Sequence, residues 1–229
     1  MKIIPVIDIK SGHAVLAKQG QRKSYQPLST DLCSSSEPIA VIEAYLSTWE
    51  FKTIYIADLD SLMELGNNTT CINSIFKAFP NIYFIIDCGV INPNYQPLKS
   101  NQYTPILGTE SFDSNKLKTL HKKFILSLDF STENRKMGSS ELYNKPELWP
   151  KNIIIMTLAL VGKNCGADLQ KIKHYLQHYP NHNFIAAGGI RGLSDLIQLK
   201  NLGVQQALVA TALHRKQLKK SDLKQLANG

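Results

Sequence analysis

The chain has 229 residues, 43% of them hydrophobic, and a formal net charge of +8, enough for one well-buried core and a single domain spanning residues 1–229. No run of about 18 uncharged apolar residues occurs, and Asp8 falls where a signal peptide would still be apolar, so a soluble cytoplasmic protein without a membrane partner is expected. Basic residues are scattered except in His214-Arg215-Lys216-Gln217-Leu218-Lys219-Lys220, read as a solvated last helix; without a nucleic-acid-binding motif, no nucleic-acid partner is expected, and the positive field would steer a small anion instead.

Ile3 to Ile9 is the first of eight short apolar runs bounded by Gly, Pro, Asn or Asp. The others are Thr53 to Asp58, Ile82 to Asp87, Pro105 to Gly108, Phe124 to Asp129, Asn152 to Thr157, Asn183 to Ala187 and Gln206 to Val209. They are apolar throughout rather than alternating, as parallel strands covered on both faces require. Amphipathic stretches between them complete a succession of βαβ units.

After the first strand, Ser11 to Thr30 is long and polar, and Ser131 to Leu148 repeats that pattern after the fifth. Such loops in a compact chain are commonly functional or mobile. Lys18, Arg22 and Lys23 in the first could close over an anion, with Lys10 and Tyr25 beside them, or simply be solvated; His13 has no metal-ligand neighbour and reads as a surface residue. Pro38 opens a helix with Ile39, Ile42, Leu46 and Trp49 as its apolar stripe. Asn68 to Phe79 carries Ile72, Ile75, Phe76 and Phe79 on one face. Later helices present Leu169, Ile172, Leu176 and Tyr179, then Leu193, Leu196, Ile197 and Leu199. Cys33, Cys71, Cys88 and Cys165 show no metal-ligand or disulfide spacing, so reduced thiols and no metal are expected; Cys88 and Cys165 fall beside glycines at strand ends, where exposure near a site is open.

The last two runs carry the clearest functional signal. Asn183 to Ala187 runs into Gly188-Gly189-Ile190 and a Ser194-Asp195 helix start, and Gln206 to Val209 ends in Ala210-Thr211-Ala212. Two such ends side by side would expose backbone N–H groups with no side chain in the way, a seat for a phosphate dianion formed by Gly188, Gly189, Ile190, Ala210 and Thr211. The chain also repeats itself at a spacing of about one hundred residues: Asp87-Cys88-Gly89-Val90 aligns with Ala187-Gly188-Gly189-Ile190, and Leu107-Gly108-Thr109 with Val209-Ala210-Thr211. Two half-barrels of four βα units account for this.

Six pieces in order, Pro5-Val6-Ile7-Asp8-Ile9-Lys10-x-Gly12, Tyr55-Ile56-Ala57-Asp58-Leu59-Asp60, Gly108-Thr109, Ser127-Leu128-Asp129, Gly188-Gly189-Ile190 and Ala210-Thr211-Ala212-Leu213, resemble the HisA/HisF family of histidine-biosynthesis barrels. The resemblance implies a TIM (β/α)8 barrel of two repeated halves that binds one phosphate per half. The HisA branch isomerises phosphoribosylformimino-aminoimidazole-carboxamide ribotide, an aminoaldose, to an aminoketose without a cofactor. Asp8 and Asp129 match the family's two carboxylates, one to protonate the ring oxygen and one to remove a carbon-bound proton; structural carboxylates, capping a loop or pairing Lys10, are the competing reading. A second ligand site would draw on Gly89, Gly108, Thr109, Lys10 and Arg22. The expected partner is a phosphorylated small molecule, on a monomer or homodimer.

Three positions depart from the family's pattern. Leu158 replaces a carboxylate after the sixth strand, Asp87 replaces a small residue at the third, and Ala210 replaces glycine at the eighth. An ionised Asp87 would repel a phosphate in the first half. Gly20-x-Arg22-x-x-Tyr25-x-Pro27 and Val161-Gly162-x-x-Cys165-Gly166-x-Asp168 look like a HisA-related side branch found in archaea and methylotrophs that use tetrahydromethanopterin. That leaves three functions open: an acid/base isomerase of another phosphorylated sugar-like metabolite, a non-catalytic ligand-binding barrel in one-carbon metabolism, and the histidine enzyme itself.

Overall fold

The computed structural model describes every residue except 90–93, 100, 112–122, 132–134, 139, 164 and 229, and the side chain of residue 228. Its strands are β1 (Lys2–Lys10), β2 (His13–Val15), β3 (Thr53–Asp58), β4 (Tyr83–Asp87), β5 (Tyr103–Gly108), β6 (Ile125–Phe130), β7 (Asn152–Thr157), β8 (Asn183–Ala187) and β9 (Gln206–Val209). Leaving β2 aside, eight strands pair in parallel and in sequence order, and β9 returns to β1 with Ile4 opposite Leu208. This is a closed (β/α)8 barrel.

The described helices are α1 (Pro38–Thr48), α2 (Leu59–Leu62), α3 (Thr69–Ala78), α4 (Ser140–Asn144), α5 (Leu169–His178), α6 (Leu193–Asn201), α7 (Thr211–His214) and α8 (Lys220–Asn228). The strands separate two apolar layers, which explains their unbroken hydrophobicity. Ile3, Ile7 and Ile9 pack outward on the helices. Ile4 and Val6 point the other way, into the barrel, with Tyr55, Ala57, Ile85, Ile154, Ile185 and Leu208. A residue's parity along its strand therefore fixes its layer.

Four sequence expectations shift in detail. In α1, Val41 and Tyr45 are buried with Ile42, whereas Ile39, Leu46 and Trp49 are only partly covered, because the helix is gripped between neighbours on a wider face than the stripe implied. The Tyr45 hydroxyl draws that face inward, donating to Val6 O at 2.6 Å and meeting His214 Nε2 at 2.8 Å. His214 is thus buried rather than part of a solvated basic run. Third, α6 is preceded by Gly192 with no side-chain cap; Asp195 instead accepts from the Arg191 amide and guanidinium. Fourth, the loop after β1 folds back as an antiparallel hairpin, with Asp8 opposite Val15 and Lys10 opposite His13. Asp58 and Asp60 are structural: Asp58 accepts from the Ser61 and Asn68 amides, and Asp60 from the Ser11 amide and the Asn68 side chain.

Candidate functional site

The inward parity that fills the barrel with Ile4 and Val6 delivers Asp8 to its open end. The same rule brings Asp87 above Ile85, Asp129 above Ile125 and Met156 above Ile154. The small residues Ala57 and Ala187 share this wall, and the space is a cavity of about 110 Å³ at the C-terminal ends of the strands. Its wall includes Asp8, Asp87, Asp129, Gly188, Ile190, Ala210 and Thr211. Residues from opposite ends of the sequence thus share one hollow.

Asp129 is held from three sides. Ser127 Oγ donates to Oδ1 at 2.6 Å, while Thr109 Oγ1 and the Glu110 amide donate to Oδ2, each at 3.2 Å. A Cβ on Gly108 would stand 3.1 Å from that oxygen, so the glycine makes room for the carboxyl. Asp87 accepts from the Tyr55 hydroxyl at 3.2 Å and, more weakly, from the Gly89 amide at 3.4 Å. The half-buried Asp8 carboxyl receives no hydrogen bond among the described residues.

These environments lift all three carboxyls. Burial raises Asp8 to about 7, with Arg22 opposing and Asp87 adding to the shift. Burial likewise raises Asp129 to about 7, against the Ser127 hydrogen bond and aided by the charges of Glu110 and Asp87. Asp87 rises to about 6, again by burial first and Glu110 second. Near neutral pH the group therefore holds a mixture of protonated and ionised acids.

The hairpin loop roofs the cavity through Leu16, Ala17, Arg22 and Tyr25. Arg22 forms an ion pair with Glu110, and both side chains are largely covered. Lys10 reaches not into the cavity but to the carbonyl oxygens of Arg22 and Lys23, at 3.0 and 3.2 Å, tying the loop down. Gln19 N donates to Val161 O at 2.9 Å, and Gly162 lies so close to Ala17 O that a Cβ would come within 2.4 Å. The roof and the loop after β7 are in direct contact.

Gly188 and Gly189 both have positive φ and abut backbone: a Cβ would fall 2.5 Å from Thr157 O and 2.2 Å from Gly166 O, respectively. Gly166 N donates to Gly189 O at 2.9 Å. The amides of Gly189, Ile190, Ala210 and Thr211 meet no acceptor among the described residues.

Sequence reasoning missed Tyr55 and Glu110. The parity of β3 would have placed Tyr55 inside with Ala57; Glu110 follows the Gly108-Thr109 pair directly. Of the two cysteines beside strand-end glycines, Cys88 is buried and Cys165 is exposed off the cavity wall. No described helix is long and apolar enough to cross a membrane.

A family model described as histidine biosynthesis protein matches residues 2–219. The chain belongs to this family. Across the family it is 35% identical to an uncharacterized protein of Methanocaldococcus jannaschii, over 100% of this chain and 98% of that one. It is 28% identical to a Clostridium botulinum protein over 93% of this chain and 92% of the other. That relative is a 1-(5-phosphoribosyl)-5-((5-phosphoribosylamino)methylideneamino)imidazole-4-carboxamide isomerase. A Listeria welshimeri isomerase of the same name is 22% identical over 100% and 99% of the two chains. The six ordered motifs and the barrel agree with this membership.

Proposed function

We propose that this family member isomerises a phosphorylated, sugar-like aminoaldose by acid/base chemistry at Asp8 and Asp129, with the phosphate held by the amides of Gly188 to Ile190 and of Ala210 and Thr211. One observation carries the reading: both carboxyls and these loop ends open on a single cavity. Asp129 protonates the ring oxygen; the nitrogen lone pair then opens the ring and leaves an iminium at C1. Asp8, whose oxygens have no donor among the described residues, removes the C2 proton and the electrons form the C1–C2 enolamine. Loss of the C2 hydroxyl proton and protonation of C1 complete the aminoketose. Carboxyls raised to about 7 suit this exchange, since one is readily protonated while the other is ionised.

The fate of the C2 proton supplies the test, whichever such aminoaldose is the natural substrate. Phosphorylated 1-aminoaldoses incubated in D2O are expected to lose the C2 proton and give aminoketoses carrying deuterium at C1, read by proton NMR. Asp8→Asn should slow this by about 10²–10⁴-fold. An unchanged rate in that variant removes the mechanism.

Leu158 on the cavity wall supports a second reading, a barrel that binds a phosphorylated ligand without turnover, for example as a subunit in tetrahydromethanopterin-linked one-carbon metabolism. Phosphate binding with no loss of the C2 proton across the panel would favour it. Rescue of a strain lacking the histidine-pathway isomerase would instead assign this chain the activity for which its Clostridium relative is named.

A further inference from the structure

Helix α5 carries an exposed pair of histidines far from the cavity. His174 and His178 are four residues apart, so both leave the same face of the helix on successive turns, while Ile172 and Tyr175 take the buried face. The helix leads back from the end of β7 to the start of β8, so His178, its last residue, stands at the end of the barrel opposite Asp8 and Asp129. The two ring centroids are 4.1 Å apart, with their planes inclined at 35°. Nδ1 of His178 lies 2.8 Å from His174 O. A carbonyl oxygen only accepts, so Nδ1 carries a proton, and in the neutral ring Nε2 keeps an outward lone pair. A ring N–H given to a backbone carbonyl is the arrangement that fixes the tautomer and orientation of a metal-ligating histidine. The ring nitrogens of His174 have no partner among the described residues.

We infer that His174 and His178 chelate one divalent transition-metal ion, Cu(II), Ni(II) or Zn(II), through two neighbouring imidazole nitrogens. With metal–nitrogen bonds of about 2 Å, two imidazoles in adjacent coordination positions have ring centres roughly 4.5–5 Å apart, so a small rotation of His174 completes the chelate. Two histidines at this helical spacing on one face are a recurring way to hold such an ion. Imidazole nitrogen selects these metals over Mg(II) and Ca(II), which take oxygen ligands. No third His, Cys, Asp or Glu joins the pair among the described residues, so water fills the remaining positions and the ion exchanges readily. The site is separate from the acids of the cavity and supplies no step of the proposed isomerisation.

The experiment is equilibrium dialysis of the whole protein against Ni(II) at pH 8. One ion per chain is expected, undisturbed by excess Mg(II). His174→Gln and His178→Gln should each weaken binding by at least about 10²-fold, because each leaves a single imidazole, and the double variant should lose little more. His13→Gln, which alters an exposed histidine beside Ser36 and Glu37, should bind as the parent does. No binding by the parent, or affinity unchanged in either α5 variant, would overturn the inference, and so would a loss confined to His13→Gln. Both α5 substitutions are of exposed side chains, and circular dichroism checks that the variants fold. A second measurement needs no variant: the electron paramagnetic resonance spectrum of the unmodified chain with one equivalent of Cu(II) should show two imidazole nitrogens on the metal. A thiolate ligand, or one nitrogen alone, would overturn the inference.

Discussion

At the scale of single residues, the site is a contest between donors and carboxylates, settled differently at Asp8 and Asp129. Three donors fix the orientation of Asp129, while Asp8 keeps free oxygens in the cavity. The glycines opposite are equally constrained. Gly189 combines φ +79° with a Cβ position only 2.2 Å from Gly166 O, so Gly189→Ala is expected to cost at least about 2 kcal/mol in urea unfolding. Phosphate affinity should fall with it, since the amides beside it shift. Gly12, also at positive φ but with nothing within 4 Å, should tolerate alanine at about 1 kcal/mol, its backbone strain alone. Asp8, Asp129 and the Gly188-Gly189 turn were readable because their residue types sit at strand ends. That Asp129 takes the Thr109 hydroxyl and the Glu110 amide at the end of the neighbouring strand was not readable, because it depends on a distance between strands about twenty residues apart.

At the scale of elements, the hairpin loop after β1 decides how the cavity communicates with solvent. Sequence alone marked Ser11 to Thr30 as unusual by length and polarity, yet gave Lys10 and Arg22 as ligand contacts among other readings. The observed bonds of Lys10 go to the Arg22 and Lys23 carbonyl oxygens, and those of Arg22 to Glu110. A backbone-directed lysine cannot be told from an anion-directed one without the turn of the loop in view. Lys10→Met should therefore speed amide hydrogen exchange across residues 18–25 while changing phosphate affinity less than about threefold, an effect of well under 1 kcal/mol. A large loss of affinity with unchanged exchange would mean that Lys10 touches the ligand. The strand positions were nearly right from sequence because a parallel barrel strand is apolar on both faces. Helix faces were less so: the buried Tyr45 and Lys171 carry polar groups that an apolar stripe omits, satisfied here by Val6 O and by Asp168 with Thr157.

For the whole molecule, the site's acids work against the fold. Asp8, Asp87 and Asp129 bind protons more tightly in the folded chain than in the unfolded one, so each contributes stability that is present below about pH 4 and is lost as pH rises through about 6 to 7. His214 acts in the opposite sense: burial holds it at about 4, so its contribution falls as pH drops below its unfolded value near 6.5. Comparing Asp129→Asn with the parent chain cancels the histidine. The stability of the variant, read from its melting curves, should gain on that of the parent between pH 5 and pH 8 and then level off, by a few kcal/mol at most. A parallel pair of curves would mean that Asp129 is ionised throughout. Bound phosphate should raise the melting point of the parent by the usual mass-action amount.

The contact between Gly162 and Ala17 O, with Gln19 bonded to Val161, joins a loop of the first half to a loop of the second. Admission of a ligand then cannot be the swing of one flap. Both segments have to lift in concert, so a substitution that stiffens either one should slow uptake and release by the same factor and leave the equilibrium constant where it was.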